Sequence, residues 1–187
     1  MKFLIRQAKF APIFYFVPVF MAGLLIDDYN LVKQHASEIT IASFYYAKTI
    51  INAGFILTGS SISIFALGII IDFKKFYISS IMLIVFGISM ISNGLYPMGT
   101  HMHGIHGIGL AQMLLPFIVC YEVKNENFSK LFFKLSLITG FLIFIYFWSM
   151  IVGLDPVNYM GLTQRIASAI ILGWIAFFAF ELKKIIK

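Results

Sequence analysis

Six long apolar stretches, at about residues 10–26, 50–71, 76–96, 104–121, 131–152 and 162–180, carry between them only two formally charged side chains, Lys134 and Arg165. About 20 consecutive apolar residues are what an α-helix needs to cross the hydrocarbon core of a bilayer. A chain built this way has little left for anything but short loops. Of its 187 residues 60% are hydrophobic and 12% charged, where soluble domains run at about 45–50% and about 25%. Half the usual charge cannot cover a water-exposed surface, which excludes a soluble globular enzyme and a disordered chain alike. The expected fold class is therefore all-α. Residues 1–187 are read as a single transmembrane domain, a compact bundle of six transmembrane helices in a polytopic integral membrane protein.

The charged residues test the count. With six spans, Lys2, Arg6, Lys9, Lys74, Lys75, Lys124, Lys130, Lys134, Lys183, Lys184 and Lys187 fall on one side, 11 of the 14 basic residues. Only Lys33, Lys48 and Arg165 fall on the other, and the acids divide evenly. The basic side faces the cytoplasm by the positive-inside rule, so both termini are expected there, in a bacterial plasma (inner) membrane. The net charge of +6 is thus a mark of topology, and no nucleic-acid partner is expected. The opening stretch has the basic start of a signal peptide, but Ala22 and Gly23 lack a small residue at the matching −3 position. It reads as a retained first span, loosened at Pro12 and Pro18. Residues 37–49 read as a short helix lying in the interface. Cys120 is the one cysteine, so no internal disulfide can form. Asn127-Phe-Ser129 matches the glycosylation pattern but falls on the predicted cytoplasmic side.

Small residues recur at spacings that bring helices together. Asn52, Gly59, Ser63 and Ala66 share a stripe, Ser80, Gly87 and Gly94 repeat every seven, and Ala169 stands four before Gly173. Lipid gives no hydrophobic drive between helices, so close backbone approach has to supply the adhesion. Asn52 and Asn93 are amides within or near the apolar slab, expected to hydrogen-bond across helices.

Two features could carry chemistry. His101, His103 and His106 cluster before and at the start of the fourth stretch. With Asp155 from another loop they offer a zinc ligand set, and so a zinc-dependent membrane hydrolase as one reading. No cofactor is otherwise expected. Arg165 lies near the start of the sixth stretch, on the side where cations are scarce, and needs compensation from Asp155, a lipid phosphate or neighbouring carbonyls. A two-haem cytochrome is excluded because all four histidines lie on one side. No phosphate loop and no nucleophile elbow occurs, and none of the eight acids lies mid-span.

Several segments together resemble one family: Asn52-Ala-Gly-Phe-Ile-Leu-Thr-Gly59, Gly94-Leu-Tyr-Pro97, His106, Gly161-Leu-Thr-Gln-Arg165-Ile and Trp174. They are similar to the bacterial membrane proteins catalogued as domain of unknown function 998 and, more distantly, to Frag1/DRAM/Sfk1-type proteins linked to lipid homeostasis. The resemblance covers the chain from about residue 45 onward. It implies a compact six-helix bundle, with Gly94, Pro97, His106 and Arg165 as hallmark positions and no assigned activity. His101 and His103 fall outside its pattern, which favours His106 working with Arg165. The leading expectation is a protein that binds a lipid or small amphiphile near Arg165 and His106, with Asn52 and Asn93 lining the site. The alternatives are the zinc hydrolase and a structural subunit. Membrane lipids, and a membrane-protein partner or a second copy of the chain, are the expected partners.

Overall fold

The computed structural model describes residues 2–105 and 107–185. The helices are α1 (Lys2–Arg6), α2 (Ala11–Leu24), α3 (Tyr45–Phe73), α4 (Tyr77–Leu95), α5 (Leu115–Glu122), α6 (Lys130–Ile151) and α7 (Met160–Ile185), with no strand among the described residues. Five helical rods are long and apolar enough to cross a membrane: Lys2–Leu24, in which a 3-10 turn at Gln7–Phe10 joins α1 to α2, then α3, α4, α6 and α7. Pro12 stands at the start of α2, where its missing N–H costs nothing. Pro18, inside α2, seats its ring on Gly54, where any β-carbon would collide with it.

α3 and α4 form the tightest pair. A β-carbon on Gly59 would strike the carbonyl of Gly87, one on Gly87 would strike Ser63, and one on Gly94 would strike the carbonyl of Asn52. The seven-residue repeat of small residues is thus the seam between two backbones. The Ala169/Gly173 pair differs from expectation. Both residues are exposed, and a β-carbon on Gly173 would meet nothing within 4 Å. That stripe faces outwards and joins no helices in this chain.

One end of the bundle gathers the lysines and is tied together by three carboxylates. Glu122 accepts from the N–H groups of Ile78 (3.1 Å) and Ser79 (2.8 Å), placing an anion at the N-terminus of α4. Lys75 pairs with Glu126 at 2.5 Å. Glu181, buried, accepts from the N–H of Ser129 at 3.0 Å and pairs with Lys184. Ser129 in turn caps α6, its hydroxyl accepting from Phe132 N at 3.1 Å.

The fourth stretch is where the structure departs most from a simple reading of hydropathy. Residues 104–121 do not form one helix. Turns occupy 101–105, a 3-10 helix follows at Ile108–Met113, and only Leu115–Glu122 is α-helical. Gly104 (φ 67°), Ile105 (φ 42°) and Gly107 (φ 81°) take left-handed backbone, which an α-helix cannot continue through. The segment still travels the length of α4. At one end Ser92 Oγ donates to Met102 O and Ser89 Oγ to Gly104 O (3.4 Å). At the other Glu122 reaches Ile78 and Ser79. On its far side Phe117 packs on Gly140 and edge-on to Phe141, ring centroids 5.2 Å apart. The physical cause is the density of Gly104, Gly107 and Gly109, which apolarity alone does not register.

The α3–α4 seam gives a direct test. Gly87→Leu should lower stability by about 2–3 kcal/mol through overpacking, read as a lower unfolding midpoint in detergent. Gly173→Leu should leave the midpoint unchanged.

Candidate functional site

Residues 25–44 fold over the end of the bundle opposite the lysines and form a strap. Here the expected helix over 37–49 is replaced by a 3-10 turn, Ala36–Ile41, before α3 begins at Tyr45. The start of α7 is built to hold this strap. Gly161 lets it approach, since a β-carbon there would collide with the carbonyls of Gln34 and Leu31. Leu162 N donates to Val32 O at 2.9 Å, and Ala36 N donates to Gln164 Oε1 at 2.8 Å. From the loop that follows α4, Met98 N donates to Thr40 Oγ1 at 2.9 Å.

Arg165 is the centre of that junction. It is 7% exposed. Its Nη1 donates to Gln34 O (2.9 Å) and Gly161 O (2.7 Å), and its Nη2 donates to the Tyr29 hydroxyl (2.6 Å). The guanidinium also lies 5.8 Å from the centroid of the Tyr29 ring. Tyr29 passes the chain of bonds on, donating to His35 O at 2.8 Å. Carbonyls and a phenol therefore supply the compensation, and Arg165 has no carboxylate partner among the described residues. Asp155 is occupied elsewhere, accepting from Thr163 Oγ1 at 2.8 Å. Burial pushes the Tyr29 phenol above its ordinary range, and Arg165 draws it part of the way back.

Beside the junction a cavity of about 290 Å³ opens between α2, α3, α4, the broken fourth stretch, α6 and α7. Its walls are Phe55, Phe86, Ile143 and Leu172; Ser37, His103 and Met150 belong to the strap end. Gly104, Gly107 and Gly109 bring backbone of the broken stretch into the lining. Asn93 lines it as well, and its Oδ1 is buried with no hydrogen-bond partner among the described residues. Across the cavity, Ser168 donates to the Tyr15 hydroxyl at 3.2 Å.

The sequence-derived site is thus divided. Asn93 and His103 reach the cavity, but Arg165 and Asn52 do not line it. Asn52 Oδ1, buried beside α4, has no partner among the described residues, so the expected cross-helix bonds of Asn52 and Asn93 are absent there. Of the zinc set, His106 lies outside the described residues, and among the described residues no three His, Cys, Asp or Glu side chains gather in a way that could hold a metal. His103 Nδ1 lies 2.8 Å from Tyr96 O, and the carbonyl makes that nitrogen the donor. Tyr15, Gln112, Tyr146, Gln164 and Ser168 are lining residues that the sequence reading passed over. One signal was present for them. Gln164, Ser168 and Leu172 are spaced by four on α7 and share a face, two of them polar in an otherwise apolar run.

The family model described as protein of unknown function DUF998 matches residues 10–181. The chain belongs to this family. No curated protein and no solved structure matches it.

The junction predicts a structural phenotype for Arg165. Arg165→Leu, which strands two carbonyls and a phenol, should cost about 3 kcal/mol, and Tyr29→Phe about 1 kcal/mol, both measured as unfolding midpoints in detergent. Because the Tyr29 phenol titrates higher in the folded chain than in the unfolded one, stability at this junction is complete at neutral pH. It falls as pH rises past the ordinary phenol value of 10.0. Tyr29→Phe should abolish that alkaline limb.

Proposed function

We propose that this chain is a six-pass protein of the plasma membrane that binds a lipid or small amphiphile in the cavity at its strap end. The segregation of basic residues supports a cytoplasmic lysine-rich end with both termini, and a strap on the outer face. The path of residues 104–122 along α4 supports counting the broken segment as the fourth crossing.

The observation that carries the reading is the cavity wall itself. At membrane depth, backbone outside a regular helix is tolerated where it is packed in protein or lines a cavity. A chain that wanted only a compact bundle would fill this space with a sixth continuous helix. Here glycines hold the fourth pass open, and beside them sits Asn93 Oδ1 without a partner among the described residues. A buried acceptor left unpaired costs about 1–3 kcal/mol. A bound molecule with a polar end and an apolar tail would meet that acceptor and fill the walls of Phe55, Phe86, Ile143 and Leu172. Arg165 enters this reading as the residue that fixes the strap over the cavity mouth, not as the headgroup anchor.

Ser168→Phe should fill the cavity from α7 while leaving the strap contacts of Gln164 and Arg165 in place. Mass spectrometry of protein purified in mild detergent should find an amphiphile retained by the wild type and lost from this variant. Equal retention by both, with the variant still folded, would refute the cavity as the binding site.

A further inference from the structure

We infer that the cavity takes an amphiphile with an uncharged, hydroxyl-bearing head, the chemical class of the monoacylglycerols, in preference to an anionic lipid. This rests on the binding reading above and adds the identity of the head. Among the described residues that line the cavity there is no Asp, Glu, Lys or Arg. An ionised phosphate entering it would lose water and find only the His103 ring, whose Nδ1 already faces the Tyr96 carbonyl, as a counter-charge among the described lining residues.

Arg165, a buried cation beside the cavity, does not line it. Arg165 follows the lining residue Gln164 directly in sequence, yet its two terminal nitrogens are committed to Gln34 O, Gly161 O and the Tyr29 hydroxyl. The remaining charges of this end are unfavourable for an anion. Asp27, Asp28, Glu38 and Asp155 outnumber Lys33, Lys48 and Arg165.

The hydrogen-bonding groups match a hydroxyl more closely than a phosphate. Asn93 Oδ1 is an acceptor without a donor among the described residues. A hydroxyl donates to it, whereas an ionised phosphate group adds only further acceptors. The same head must also accept, and donors are at hand. The Tyr15 hydroxyl receives the Ser168 proton and keeps its own to give. Gln164 uses its Oε1 on Ala36 N, which leaves its amide hydrogens for a ligand. A glycerol head with an ester carbonyl presents both kinds of group. At about 290 Å³ the space holds such a head and the first part of a chain, not a whole lipid.

The test uses a matched pair, 1-palmitoylglycerol and the same molecule bearing a 3-phosphate, titrated into the full-length protein in detergent and followed by native mass spectrometry. The expected result is that the uncharged member binds at least tenfold tighter. Asn93→Leu should weaken it by about tenfold. Gln112→Leu, at a lining position with no hydrogen bond to lose, should weaken it several-fold with no change in unfolding midpoint. Equal or tighter binding of the phosphorylated member, still abolished by Ser168→Phe, would overturn the uncharged head while sparing the cavity as a site. No binding of either member would overturn the acylglycerol-type head, and binding that Asn93→Leu, Gln112→Leu and Ser168→Phe all leave intact would overturn both.

Discussion

Hydrocarbon offers no hydrogen bonds, so every N–H and C=O that leaves a regular helix at membrane depth has to find a partner inside the protein or border a polar space. Most of this chain obeys by staying helical in five long rods. The fourth apolar stretch does not, and its neighbours are arranged around that exception. Ser89 and Ser92, on the face of α4 that it follows, turn their hydroxyls to the carbonyls of Gly104 and Met102. Gly140 on α6 makes room for Phe117 where the stretch becomes helical again. What these contacts leave unfilled is the cavity.

The opposite requirement, close contact without hydrophobic drive, explains the short small-residue segments of the sequence. Gly54 and Gly59 in the second stretch seat Pro18 and the backbone of α4. Gly94 meets the backbone of Asn52, and two residues later Tyr96 offers its carbonyl to His103. In Gly161-Leu-Thr-Gln-Arg165, Gly161 admits the strap, Gln164 binds its backbone, and Arg165 closes over it. Trp174 donates to Ser136 Oγ at 2.8 Å and stacks among Phe132 and Phe178. These motifs are points where backbone meets backbone or a buried polar group meets its partner, and a larger or apolar replacement has nowhere to go.

Much of the helical bundle was legible from hydropathy and charge, because lipid selects for both with few exceptions. The break at 104–113 was not, since glycine is mildly apolar and a run such as Gly104-Ile-His-Gly-Ile-Gly109 scores like a span while lacking the backbone preference for one. Arg165 stood out in the sequence as a cation needing compensation, but beside Gly161 O on its own helix its partners, Gln34 and Tyr29, came from a loop 131 and 136 residues away, beyond any spacing argument. The histidines drew attention by their number. A turn places the His103 Nδ1 against a carbonyl, and spacing alone does not show that. Gln164 and Ser168 were legible as a polar face on α7, and their significance depends on a cavity that only the folded fourth stretch creates.

The central claim is that the broken fourth stretch walls a ligand-filled cavity. An experimental structure of the protein in lipid nanodiscs, resolved well enough to trace residues 101–122, tests it most directly. The account predicts left-handed backbone at Gly104 and Gly107 and elongated density in the cavity with its polar end against Asn93. A continuous helix through 104–121, with its side chains closing the space, would contradict it.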